Sequence, residues 1–116
     1  MITRHAIDIA RNFIARFEGF EARPYEDVVG ISTIGFGHVI LPDENFDEIT
    51  EEEAFAILES DMTKAIECVD QYVDADLDDG QQAALISFVF NVGCGNFKGS
   101  TLLKLLNAGQ IEKAVS

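Results

Sequence analysis

The segment from Phe17 to His38, FEGFEARPYEDVVGISTIGFGH, constrains this chain more than any other stretch. Its four glycines and short alternating runs suit a β-hairpin region, whereas the rest of the chain carries helical spacing. Ahead of it, Ile7, Ala10, Phe13, Ile14 and Phe17 recur every three or four residues, so the spacing predicts a helix from about Arg4 to Glu18, capped by Thr3 and stopped by Gly19. A strand expected from Ser32 to His38 puts Thr33, Gly35 and Gly37 on a bare face, and Ile34, Phe36 and His38 on a packed one.

Two acids in this segment have different surroundings. Glu18 is expected in the last helical turn, where the negative end of the helix dipole and burial beside Phe17 and Phe20 both favour the protonated form. That suits a general acid. Asp27 follows nine residues later, after the turn-like Arg23-Pro24-Tyr25-Glu26, with no apolar burial of its own, and is expected to stay ionised. Such a pair points to glycoside hydrolysis, in which one carboxyl protonates the leaving oxygen and the other serves the water or the oxocarbenium-like centre. Glu21 and Glu26 compete for these roles, but neither sits at a helix end or directly ahead of the glycine hairpin. The Thr33 hydroxyl is placed to orient a water, and the glycines beside it, Gly35 among them, admit a bulky ligand to the backbone. Taken singly, each of these residues also fits an ordinary hairpin with surface acids.

The runs FEGF, YEDVVG and STIGFGH together resemble the active-site signature of the phage-type lysozymes, the muramidase endolysins of bacteriophages and prophages. Glu18, Asp27 and Thr33 fall on that family's catalytic Glu, Asp and Thr. ITEEEA, from Ile49 to Ala54, resembles the start of the helix joining the family's two lobes, and ALISFVFNVGCGNFKGSTLLKLLNAG, from Ala84 to Gly109, resembles its large-lobe helices. The resemblance implies an α+β, lysozyme-like fold in one domain over 1–116: a small β-hairpin lobe over 19–49, a long connecting helix over 50–73, and a helical lobe from 1–18 and 77–116. It implies hydrolysis of the β-1,4 bond between N-acetylmuramic acid and N-acetylglucosamine in peptidoglycan, without a cofactor. Phe90, Asn91, Ser100 and Thr101 are then sugar contacts. The alternative is a non-catalytic peptidoglycan-binding or regulatory remnant, against which the intact Glu, Asp and Thr argue. Family members continue with more helix past the position of Ser116, so the chain reads as C-terminally truncated. Apolar residues of the first helix and of the helix over 79–92 are expected to be covered by self-association or by a rearranged helical lobe.

Composition narrows the partners. A chain of 116 residues, 47% hydrophobic and 25% charged, suits one small soluble domain. A formal net charge of −13 disfavours nucleic acid, and it also opposes an anionic cell wall. No apolar run approaches a membrane span, and Asp8 and Arg11 interrupt the N-terminal apolar pattern, so no signal peptide is expected. The resemblance then places the protein in the host cytoplasm before release to the wall. Cys68 and Cys94 are expected as free buried thiols on that account. No metal site is expected, because His5 and His38 lack paired ligands. A calcium loop starting at Asp74 fails, since Asp79 and Leu85 stand where Gly and Glu are needed.

The remaining elements follow from caps and stripes. Leu41 to Ile49 reads as an acidic surface loop. Thr50 and Glu53 form a capping box before a stripe of Phe55, Leu58, Met62, Ala65, Ile66, Val69 and Tyr72. His38 is expected to point away from the cleft and to form a structural pair with Asp61, the match that the resemblance implies. Asp78, with Gln81, opens a buried helix holding Leu85, Ile86, Phe88, Val89, Phe90 and Val92 and ending at Gly93. Ser100 caps a helix stopped over 107–109, and a further one is expected to begin at Ile111.

Overall fold

A computed structural model describes residues 1–109, so the helix expected from Ile111 lies outside the described residues. The elements are α1 (Arg4–Glu18), β1 (Glu21–Glu26), β2 (Ser32–Gly35), β3 (His38–Val39), α2 (Glu51–Tyr72), α3 (Asp79–Val92), α4 (Cys94–Lys98) and α5 (Thr101–Asn107). The chain divides into two compact units, one of Arg11–Asp61 and one of Met1–Ala10 with Met62 onward. No helix among the described residues is long and apolar enough to cross a membrane.

In the Arg11–Asp61 unit, a three-stranded antiparallel sheet runs in the order β1-β2-β3. The strand expected from Ser32 to His38 is broken. Gly35 and Gly37 take φ of +66° and +79°, a left-handed backbone that turns the chain at Phe36-Gly37 into β3. Ile34 and His38 still share a sheet face, now as cross-strand partners. The turn expected at Arg23 to Glu26 is instead strand, with Pro24 accommodated on an edge strand where the register to β2 shifts. Gly35 is not bare either, for a side chain there would meet Ile49 Cδ1 and Ala54 Cβ, each at 3.3 Å. Phe36 packs between the rings of Phe20 and Phe55, at centroid distances of 5.6 and 4.6 Å. Burial of such a ring stabilises by roughly 1.5–3 kcal/mol. On α1, Ile14 is buried, but Phe13 and Phe17 are 60% and 78% exposed, against their expected place in the apolar face.

The other unit is mainly helical. Met62, Val69, Ile86, Val89 and Phe97 are almost fully buried, and Gln82 is buried with them. Its side chain accepts from the Thr3 N–H at 3.0 Å and donates to the Leu77 carbonyl at 3.0 Å, so the polar burial is satisfied. Local caps hold as read: Thr3 Oγ1 accepts from Ala6, Asp78 and Gln81 form a full capping box, and Ser100 accepts from Leu103. Cys68 and Cys94 form a disulfide, correcting the expectation of free thiols. That expectation rested on compartment alone, whereas folding brings the two Cα atoms to 5.9 Å, within bridging distance.

Candidate active site

Glu18 closes α1, and the Gly19 N–H caps the helix by donating to the Ala15 carbonyl at 3.0 Å. The Glu18 side chain is exposed, not buried against Phe17 as expected, because Phe17 faces solvent. Its carboxylate is seated on the turn after β2. A Cβ added to Gly37 would come within 2.8 Å of Glu18 Oε2 and 3.1 Å of its Cδ, a space only glycine leaves free. This closeness of Gly37 to Glu18 was not legible from their places in the sequence.

Asp27 is held by the loop it opens. Its Oδ1 accepts from the N–H groups of Val29 and Ile31, each at 2.9 Å, and its own N–H donates to the Ile31 carbonyl at 2.9 Å. Oδ2 makes no hydrogen bond among the described residues. The Thr33 hydroxyl donates to the same Ile31 carbonyl at 2.9 Å, so toward any further partner it acts as an acceptor. Thr33 is only 4% exposed, which corrects the expected bare face. Tyr25 and Val39 are its partners on the two neighbouring strands. Burial first, then the charges of Glu18, Glu21 and Asp27, push the Tyr25 phenol above its ordinary pKa, so the ring stays neutral amid these carboxylates.

On the other sheet face, His38 Nδ1 lies 2.7 Å from Asp61 Oδ2, and Nε2 lies 2.9 Å from Glu44 Oε1. Two carboxylates facing both ring nitrogens call for two N–H donors, the imidazolium form. Burial alone pushes the His38 pKa down, but the hydrogen bonds to Asp61 and Glu44 outweigh it and raise it. Glu44 is drawn down by the Leu41 N–H first and by His38 second. Sequence reasoning missed Glu44, one of several acids in a loop with no period to single it out.

Glu18, Asp27, Thr33, Gly35, His38 and Asp61 all belong to the Arg11–Asp61 unit. Phe90, Asn91, Ser100 and Thr101 belong to the other. Phe90 and Ser100 are half-buried, and the Ser100 hydroxyl is engaged in capping, accepting from Leu103 and donating to the Phe97 carbonyl. Asn91 and Thr101 are exposed. No group of three or more His, Cys, Asp or Glu side chains among the described residues is arranged to hold a metal ion.

Comparison with known proteins shows what the chain is similar to. The sequence profile of the family described as phage lysozyme matches residues 15–116. A SAR-endolysin of Bacteriophage PS119 is 40% identical over 100 residues, covering 84% of this chain and 58% of that protein. An endolysin of Bacillus phage B103 is 38% identical over 107 residues, covering 90% of this chain and 41% of that protein. The chain thus spans about half the length of these two relatives. Among solved structures, the muramidase domain of SpmX from Asticaccaulis excentricus superposes with a TM-score of 0.79 at 31% identity, covering 98% of this chain and 74% of that one.

Proposed function

Because this chain belongs to the phage lysozyme family, we propose that it hydrolyses the β-1,4 bonds between N-acetylmuramic acid and N-acetylglucosamine in bacterial peptidoglycan. The observation that carries this reading is the different setting of its two acids. Glu18 accepts no hydrogen bond among the described residues and rests on Gly37. Asp27 is pinned through one oxygen and open at the other.

The chemistry follows from these two settings. Glu18 protonates the leaving glycosidic oxygen as the general acid. A water attacks the anomeric carbon while giving its proton to Asp27 Oδ2, and it donates its second hydrogen to Thr33 Oγ1, whose own hydrogen is already on Ile31. In the same reading Asp27 stabilises the positive charge growing on the sugar, and no cofactor takes part. Gly35 through its main chain, and Phe90, Asn91, Ser100 and Thr101, take the family's role of sugar contacts. The partner is the glycan strand of the cell wall, reached after synthesis in the host cytoplasm. The small β lobe over 19–49 carries Asp27 and Thr33. Exposed Phe13 and Phe17 also favour self-association at high concentration, which light scattering over a dilution series measures.

Isolated cell walls test the main reading. Wild-type chain should release reducing sugar ends, and Glu18→Gln should lower the rate by about 10²–10⁴-fold without changing the melting curve. A folded Glu18→Gln chain that kept most of the rate would sink the assignment.

A further inference from the structure

Hydrolysis by this pair of acids needs one water singled out from bulk solvent, and the role assigned below rests on that proposed hydrolysis. Thr33 sits on the central strand with Tyr25 and Val39 as its partners on either side. Cross-strand partners project from the same sheet face with Cβ atoms roughly 4.5–5.5 Å apart. Tyr25 and Val39 therefore stand on the same sheet face as Thr33, one on either side. They are themselves part-exposed, at 36% and 49%, while Thr33 between them is 4% exposed.

The register shows why a tyrosine stands there. Glu21 pairs with Gly35, so an unbroken ladder would set Arg23 opposite Thr33. The irregularity between Glu21 and Tyr25 advances β1 by two residues, and Tyr25 takes that place instead. Arg23 is left at the surface, where its Nη2 meets Glu48 Oε2 at 3.2 Å. The bulge thus sets an aromatic residue, in place of a guanidinium, opposite Thr33. A cation there would compete for the lone pairs that the attacking water needs, and would pair with Asp27.

We propose that Tyr25 is a positioning residue of the reaction, its ring closing off the Thr33 hydroxyl on the β1 side so that a single water, and not bulk solvent, meets Thr33 and Asp27. The phenol suits this place chemically, because it remains neutral beside Glu18, Glu21 and Asp27 and adds no charge to the pair. The wall acts on the orientation of the nucleophile, so its removal should appear in kcat.

The test is steady-state kinetics on soluble glycan fragments of cell wall with wild type, Tyr25→Phe, Tyr25→Ala and Tyr25→Val, and with Glu18→Gln as reference. Tyr25→Ala should lower kcat by about tenfold and leave KM within about twofold, and Tyr25→Phe, which keeps the wall, should stay within about twofold of wild type in both. Valine favours a strand but is too short to cover the hydroxyl, so Tyr25→Val should show the same kcat loss if the alanine variant does not melt cooperatively. Unchanged kcat in the folded alanine or valine variant, a loss confined to KM, or an equal loss in Tyr25→Phe would overturn the proposal. Glycan hydrolysis by wild type but not by Glu18→Gln establishes the hydrolase reading separately. No hydrolysis by wild type overturns that reading, and this inference with it.

Discussion

The Arg11–Asp61 unit and the unit of Met1–Ala10 with Met62 onward both bury an apolar core, with Ile34, Phe36 and Leu58 in the first, and they differ in the contacts set around that core. In the first, the conspicuous contacts are polar and particular: Asp27 on two main-chain N–H groups, His38 between Asp61 and Glu44, and Gly37 under the Glu18 carboxylate. In the second, side chains such as Met62, Ile86, Val89 and Phe97 fill space, helix ends are capped, and a disulfide closes a loop. The difference teaches where substitutions should register. A change in the first unit ought to appear in chemistry and pH response, and a change in the second in stability.

Removing the disulfide is expected to have the largest effect on stability. Reduction, or Cys94→Ser, should cost about 2–4 kcal/mol in urea unfolding. Hydrogen exchange should quicken most at the amides of α2 after Met62, α3 and α4. Equal quickening at the β2 amides would break the contrast between the units.

Next comes a pair of glycines in the first unit. Gly37→Ala drives a methyl to within 2.8 Å of Glu18 Oε2, so the acid must shift and activity should fall by about 10²-fold. Gly30 has a similar φ, +84°, but nothing within 4 Å of an added Cβ. Gly30→Ala, in the turn that pins Asp27, should therefore cost about 1–2 kcal/mol of stability and lower activity less than Gly37→Ala does. Parallel losses of activity in the two variants would show that backbone strain, not the seat of Glu18, decides the effect.

The smallest effect sharpens the contrast through pH. The folded pKa of His38 is raised above the ordinary 6.5, burial opposing and the bonds to Asp61 and Glu44 prevailing. The stability it contributes is thus fully present below about 6.5 and is lost as pH rises through the folded value. The Glu44 contribution has the opposite sign, present above its ordinary 4.5 and lost as pH falls through its lowered value. Asp61→Asn should therefore destabilise more near pH 6 than at pH 9, a difference that melting curves at the two pH values measure. An equal loss at both would mean that the ring carries no extra proton in the folded state.

What could be read directly from the sequence is local. The boxes of Thr50 with Glu53 and of Asp78 with Gln81, the Ser100 cap and the Gly19 stop all join residues within four positions, so their chemistry is written in adjacent letters. The order of Glu18, Asp27 and Thr33 and the helical stripe of α2 were legible for the same reason. Tertiary structure alone decided which residues meet across longer separations. It turned one expected strand into two at Gly35 and Gly37, bulged β1 so that Tyr25 instead of Arg23 faces Thr33, and chose Glu44 from an acidic loop for His38. It also joined Cys68 to Cys94 and left Phe13 and Phe17 in solvent, although their spacing was that of a buried face. Periodicity identifies a face that is able to pack. Whether another element lies against that face depends on the path of the whole chain, which no local pattern records.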